Sequence, residues 1–111
     1  MELEISENTL SEKSVLLYIV GRLNATSTQK LKTKLKQLVD GNKAELILDM
    51  SGVSFIDSSG LASLVSGLKY AREHGGWLKL AGVNQQVASI FKMTLLDRVF
   101  ELYPSVEAAQ K

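Results

Sequence analysis

Two hydrophobic periods alternate along the chain and predict strands and helices. Apolar runs at 15–20, 44–50 and 77–81 are rich in large aliphatic and aromatic residues and predict strands, the first covered on both faces and stopped by Gly21. Leu3-Glu4-Ile5 and residues 98–102 indicate two shorter strands. Between these runs, apolar residues recur at helical spacing: Leu31, Leu35, Leu38 and Val39, then Leu61, Leu64, Val65 and Leu68, then Val87, Ile90, Phe91 and Leu95. Residues 106–110 predict a terminal helical turn.

The order of these elements predicts an α/β fold. Strands that alternate with helices favour parallel pairing through right-handed crossovers, whereas the first two strands are adjacent and can form a hairpin. We expect one domain over residues 1–111, with a mixed, mostly parallel sheet of four or five strands and about four helices packed on it. Trp77, Phe91, Phe100, Met50 and Met93 are expected to pack in its core.

Composition favours an ordinary globular protein with no strong field. Hydrophobic residues make up 45% of the chain and charged residues 23%, and 13 basic against 12 acidic residues leave a net charge of +1. No direct nucleic-acid partner is therefore expected. The lysines at 30, 32, 34 and 36 are interpreted as the solvated face of a helix.

The rare residue types exclude several kinds of site. The chain has no cysteine, which removes disulfides, thiol nucleophiles and cysteine-ligated metals, and its one histidine leaves no pair for a zinc site. No metal and no cofactor are expected. The acidic start, residues 1–7, lacks the pattern of a signal peptide, and no apolar run approaches the roughly 20 residues that span a bilayer. We therefore expect a cytoplasmic protein with no membrane partner.

The segment from Asp49 to Leu61 is the candidate for function, because it joins a buried strand to a helix. Loops at the carboxyl ends of strands collect functional groups in α/β sheets. Phe55 and Ile56 are interpreted as an apolar plug that re-enters the core. Asp57, Ser58 and Ser59 would lie at the helix N-terminus, where Gly60 allows close approach of another backbone or of a ligand.

Helix capping alone explains an Asp-Ser-Ser-Gly sequence. However, two serines and an aspartate exceed what one helix start needs, and Ser51, Ser54 and Ser63 add further hydroxyls nearby. A serine at a helix N-terminus is also well placed to carry a phosphate, since free N–H groups and the dipole favour an anion there. The residues alone do not choose between Ser58 and Ser59.

The segment 54–61, Ser-Phe-Ile-Asp-Ser-Ser-Gly-Leu, preceded by the strand at 46–50, resembles the signature of STAS domains, specifically the stand-alone bacterial anti-sigma factor antagonists. The resemblance covers essentially the whole chain. It includes 21–24 at the end of the second strand, the Gly75-Gly76 turn and the segment 90–95.

The resemblance implies a sheet with helices on one side and a partner-switching role. Ser58 would be phosphorylated by a serine kinase that is also an anti-sigma factor. The unphosphorylated protein would bind that kinase and release the sigma factor, and a metal-dependent serine phosphatase would reset the switch. The implied partner-binding residues are Asn24, Asp57, Ser58, Ser59 and Gly60, while ATP and magnesium belong to the kinase.

Two segments depart from the family pattern. Asn24 stands where the family usually has aspartate after Gly-x-Leu, which keeps the capping ability but removes a charge. Residues 93–96 read Met-Thr-Leu-Leu where Ser-Gly-Leu is common. These departures leave open which kinase is recognised, and they leave room for a sibling branch of the family that binds without a sigma factor.

Two other functions were weighed. The alternative within the fold is a scaffold or transport-complex component without phosphorylation. A serine hydrolase is disfavoured because His74 follows Ser58 by 16 residues, about 24 Å along a helix, and no Gly-x-Ser-x-Gly elbow is present. We therefore expect a non-enzymatic protein.

Overall fold

The computed structural model describes residues 3–111; Met1 and Glu2, which belong to the predicted domain and to the acidic start, lie outside the described residues. The strands are β1 (Glu4–Thr9), β2 (Ser14–Leu23), β3 (Glu45–Ile56), β4 (Trp77–Ala81) and β5 (Glu101–Tyr103). The helices are α1 (Thr28–Asp40), α2 (Ser58–Glu73), α3 (Gln85–Met93) and α4 (Val106–Gln110), with a 3-10 turn at Leu96–Arg98.

The five strands form one sheet in chain order, β1-β2-β3-β4-β5. β1 and β2 pair antiparallel as a hairpin, whose turn is closed by a hydrogen bond of 2.8 Å from the Leu10 N–H to the Ser14 carbonyl. The remaining neighbours pair parallel, each through a helical crossover. The predicted mixed, mostly parallel sheet with four helices is confirmed.

Alternate residues of the central strands supply two cores on opposite faces of the sheet. Leu17, Leu48 and Leu80 belong to the main core, which α1, α2 and α3 cover. Leu16, Ile47 and Ala81 point the other way and pack with Ala109 of α4. The expectation of helices on one side is therefore incomplete, because α4 covers part of the second face.

The second face is open beside β1. Tyr18 and Val20 point to it from β2 and remain 41% and 47% exposed. The prediction that β2 is covered on both faces holds for its first half, where Leu16 is buried, and is wrong for its second half. The helix on this face, α4, packs mainly on β3, β4 and β5 and leaves the second half of β2 exposed.

β3 is longer than the sequence predicts. Its pairing with β2 continues to Leu23 opposite Ile56, whereas β4 already ends opposite Asp49. Gly21, with φ of 124°, lies at one of two register shifts that let β2 continue past the expected stop. Residues 51–56, predicted as loop, are therefore strand.

The segment after α3 also differs from the prediction. The Thr94 hydroxyl donates to the Ile90 carbonyl at 2.8 Å as the helix ends, and Leu95 adopts a left-handed conformation with φ of 62°. Met93 and Leu95, expected to be packed, are 80% and 55% exposed. Phe91 and Phe100 are buried as predicted and meet edge to face, with ring centroids 5.6 Å apart.

Several smaller predictions change at the surface. Met50 is buried as predicted, whereas Trp77 is only half-buried and Val65 is exposed although it was assigned to the apolar stripe. The turn at Leu96–Arg98 delays the last strand to Glu101. Within residues 3–111, none of the helices has both the length and the apolar character that crossing a membrane requires.

Candidate functional site at the start of α2

Asp57 sets the start of α2. Its backbone is extended, with φ of −115° and ψ of −172°, and its Oδ1 accepts a hydrogen bond of 3.0 Å from the Gly60 N–H. The Asp57 carbonyl accepts the first helical bond, from the Leu61 N–H at 2.9 Å. Asp57 is thus the N-cap, and Ser58 is the first helical residue.

Gly60 presses the first turn of α2 against the end of β2. A Cβ at this position would lie 2.5 Å from the Leu23 carbonyl oxygen and 2.7 Å from Cγ1 of Ile56. The close backbone approach predicted for Gly60 is therefore present, and the neighbour is β2 of the same chain. The buried Ser63 hydroxyl fixes the turn from the other side by donating to the Gly60 carbonyl at 2.7 Å.

The two candidate serines differ in exposure. Ser58 is exposed, whereas Ser59 is half-buried. The side-chain hydrogen bonds of this turn are made by Asp57 and Ser63, and among residues 3–111 neither serine hydroxyl has a partner. Exposure thus supplies a distinction between Ser58 and Ser59 that the sequence lacked.

Asn24 lies beside this turn, because the residue before it, Leu23, accepts a hydrogen bond of 3.2 Å from the Asp57 N–H through its carbonyl. The Asn24 Oδ1 accepts from the Thr26 and Ser27 N–H groups, at 3.0 and 3.2 Å. Its side chain therefore caps the turn that precedes α1, whose own N-cap is Ser27. The five residues predicted to bind a partner are therefore brought together at the carboxyl ends of β2 and β3.

The interpretation of Phe55 and Ile56 as a shared plug is wrong for Phe55. Ile56 is buried, but Phe55 is half-exposed, and the Arg22 guanidinium carbon lies 4.2 Å from its ring centroid. Arg22 pairs with Phe55 in the parallel ladder, so both side chains emerge on the same face. The sequence alone does not reveal this pair, because the register between β2 and β3 shifts between Gly21 and Arg22 and cannot be read from either strand alone.

The other polar cluster lies at the far end of α2. His74 caps this end; its Nδ1 lies 2.9 Å from the Tyr70 carbonyl oxygen and its ring centroid 4.5 Å from that of Tyr70. Across a groove of about 490 Å³, the Tyr70 hydroxyl donates to Asp40 of α1 at 2.5 Å, and Lys36 donates to the same carboxylate at 2.9 Å.

The hydrogen bonds among Asp40, Tyr70 and Lys36 shift the pKa values of Asp40 and Lys36. The hydrogen bonds from Tyr70 and Lys36 hold the pKa of Asp40 below its usual value, and bonding to Asp40 and Tyr70 raises the pKa of Lys36. His74 is therefore part of a contact between α1 and α2, away from Ser58. Residues 3–111 contain no group of three or more histidines and acidic residues placed to hold a metal ion.

Known proteins resemble this chain over nearly its whole length. The family model of the STAS domain matches residues 1–109. The anti-sigma-B factor antagonist of Bacillus subtilis is 28% identical over 92 residues, which cover 83% of this chain and 84% of that protein.

Solved structures show the same fold at lower identity. SpoIIAA, an anti-sigma factor antagonist and cell-fate determinant of Bacillus, superposes in its unphosphorylated form with a TM-score of 0.83 at 17% identity, over 96% of this chain and 92% of that one. Its phosphorylated form gives a TM-score of 0.75. A part of the murine Slc26a9 anion transporter also matches, with a TM-score of 0.75 at 24% identity, over 87% of this chain and 17% of that one. The same fold therefore occurs both in an anti-sigma factor antagonist and in part of an anion transporter.

Proposed function

This chain belongs to the STAS domain family, and from that premise we propose that it is an anti-sigma factor antagonist switched by phosphorylation at Ser58. In the unphosphorylated state it binds an anti-sigma factor that is also a serine kinase, and it thereby releases a sigma factor. Phosphorylation of Ser58 ends this binding, and a metal-dependent serine phosphatase restores it. The protein acts in the cytoplasm and catalyses no reaction itself.

One observation carries the proposal: Ser58 is exposed at the first helical position of α2, and its hydroxyl has no hydrogen-bond partner within residues 3–111. A kinase can reach its hydroxyl without unfolding the turn. Ser59 is half-buried one residue further along, which favours Ser58 as the acceptor. The relative in Bacillus subtilis, an anti-sigma-B factor antagonist, supports the antagonist role.

The phosphate would act on a partner surface more than on the fold. It adds a charge of about −1.5 to −2 at neutral pH beside the Asp57 carboxylate. The Asp57 carboxylate already accepts the hydrogen bond from the Gly60 N–H. The N-terminus of α2 still favours an anion, because its other N–H groups and the helix dipole remain available. In a desolvated interface, an unpaired charge costs roughly 3–5 kcal/mol. Since each 1.4 kcal/mol is about a tenfold change in affinity, the switch spans orders of magnitude.

The experiment has two arms. In the first, the chain is incubated with its kinase and ATP, and the phosphate is mapped by mass spectrometry in the wild type, Ser58→Ala and the matched control Ser59→Ala. We expect one phosphate in the wild type and in Ser59→Ala, and none in Ser58→Ala. Phosphate that persists in Ser58→Ala would disprove the assignment.

The second arm asks what the phosphate controls. Wild-type and Ser58→Asp proteins are used to capture partners, and we expect an anti-sigma factor kinase to be retained by the wild type alone. If both proteins capture the same partners, the switching role is refuted and the alternative of an unphosphorylated scaffold or transport component is favoured.

A further inference from the structure

Arg22 is held in place beside the proposed binding surface. Its guanidinium carbon lies 4.2 Å from the centroid of the Phe55 ring, in direct contact across the β2–β3 ladder. A cation over an aromatic face is attracted by the ring electrons, and the planar guanidinium stacks there without losing its donors. The side chain is exposed but restrained, so less rotamer freedom remains to be lost when a ligand binds.

The ladder places this pair next to Ser58. Leu23, the residue after Arg22, pairs with Ile56, and its carbonyl accepts the Asp57 N–H at 3.2 Å. Phe55 and Asp57 lie two residues apart along extended backbone, so they leave it on the same side. The Cα of Phe55 therefore lies about one pleat of strand, roughly 7 Å, before that of Asp57, which opens the turn that carries Ser58.

The charge of Arg22 is not paired with a carboxylate within residues 3–111. Within residues 3–111 the ion pairs are Lys34 with Glu7 and Lys36 with Asp40, and neither includes Arg22. The Asp57 Oδ1 accepts the Gly60 N–H and the Asn24 Oδ1 accepts two N–H groups of its own turn, and within residues 3–111 neither side chain is bonded to Arg22. A guanidinium offers five donors and no acceptor, and carboxylate is the protein group that matches its fork.

We propose that Arg22, stacked on Phe55, binds a carboxylate of the partner that docks on the Ser58 surface. This inference rests on the proposed function and names the chemistry of its partner. It also gives the phosphate a specific target: an anion at Ser58 repels the partner carboxylate and competes for the guanidinium that would hold it. Arg22 is thus a specificity-determining contact and Phe55 its positioning residue.

Binding is measured with the kinase that the wild type captures and Ser58→Asp does not. Its affinity is determined for the wild type, Arg22→Gln, Arg22→Lys and Phe55→Leu, with Arg72→Gln as the matched control at the opposite, exposed end of α2. We expect Arg22→Gln to weaken binding by about tenfold or more, and Arg22→Lys to lie between it and the wild type, because lysine keeps the charge but loses the fork. Phe55→Leu should weaken binding less than Arg22→Gln, and Arg72→Gln should leave it unchanged.

Two further readouts separate a carboxylate contact from a purely structural role. Raising the salt concentration from about 50 mM to about 300 mM should weaken wild-type binding more steeply than binding of Arg22→Gln. Asn24→Asp, which preserves the turn geometry but adds a negative charge near Arg22, should also weaken binding. Thermal melting of each variant confirms that it is folded.

The outcomes distinguish this inference from the function beneath it. If Arg22→Gln binds as tightly as Arg72→Gln while Ser58→Asp still abolishes binding, the proposed function stands and the carboxylate contact is refuted. The carboxylate contact would also be refuted if the wild type and Arg22→Gln showed the same salt dependence of binding, or if Asn24→Asp bound the kinase more tightly than the wild type. If no partner discriminates between the wild type and Ser58→Asp, the proposed function itself fails.

Discussion

At position 60, only a hydrogen atom fits between the first turn of α2 and the end of β2. The carbonyl oxygen of Leu23 and the side chain of Ile56 occupy the space that a Cβ would need. Both belong to well-packed strands, so neither can withdraw easily. The residue that permits this contact is thus as much a part of the site as the serine that precedes it.

Gly60→Ala is expected to destabilise the protein by about 1–3 kcal/mol, because the added methyl group overpacks a rigid contact. Gly41→Ala is the matched control, since a Cβ there would lie 3.4 Å from its nearest neighbour, an ordinary contact. Urea denaturation of both variants gives the comparison. Equal midpoints for the two alanine variants would contradict the close packing described for Gly60.

At the scale of elements, α1 and α2 are joined across their groove by Asp40 and Tyr70. The hydrogen bond from Tyr70 is the largest cause of the lowered pKa of Asp40, and the one from Lys36 is the second. A carboxyl group whose pKa is lower in the folded state stabilises the fold above its unfolded pKa, and that contribution disappears as the pH falls through the folded pKa. The contact between these helices is therefore acid-sensitive.

Tyr70→Phe should remove the larger part of this effect. We expect the wild type to be more stable than the variant at pH 7, with a difference that narrows as the pH falls below about 4. Tyr18→Phe, which removes the same hydroxyl from an exposed position on the sheet, is the control. Thermal melts from pH 2 to pH 7 test the prediction, and a Tyr70→Phe difference that is independent of pH would overturn it.

Hydrophobic periodicity located every element, but it could not set the ends of several. β3 continues past Met50 because β2 continues beside it, and the pairing of two strands is invisible in either sequence alone. Leu95 fits the helical spacing of α3, yet α3 has already ended at Met93 and the backbone turns left-handed at Leu95. Local pattern gave the type of element, and tertiary contacts decided its length.

In the candidate site, likewise, the sequence predicts the roles of single residues but not the contacts between strands. The capping role of Asp57 and the close approach at Gly60 follow from residue type and position. The stacking of Arg22 on Phe55 does not, because it depends on the register between two strands that the sequence leaves undetermined. The choice of Ser58 over Ser59 likewise needed their exposures, since both hydroxyls have the same chemistry.

At the scale of the whole molecule, the sheet lies between unequal helical layers. Three helices cover the main core, and the five residues of α4 cover a small second core built on Leu16, Ile47 and Ala81. Lys79 also anchors α4, since its ammonium group donates to the Ala109 carbonyl at 3.0 Å. The second core thus has few fully buried residues, and α4 supplies one of them, Ala109.

Ala109→Asp is expected to lower the free energy of unfolding by about 2 kcal/mol, because it places a carboxylate in this fully buried position. Gln110→Asp introduces the same group at the exposed neighbour and should change the stability little. Chemical denaturation of both variants provides the measurement. If Ala109→Asp matches Gln110→Asp, α4 does not contribute to the fold as its contacts indicate.

The close packing of α2 against β2 at Gly60 also bears on the rate of partner association. A partner of the proposed site would meet a surface that is already ordered, so association would not wait for folding and should proceed at about 10⁵–10⁷ M⁻¹ s⁻¹, the range set by diffusion and orientation. The two states of the proposed switch would then share much of their association rate. They should differ chiefly in residence time, and phosphorylation would act as a timer on how long the complex lasts.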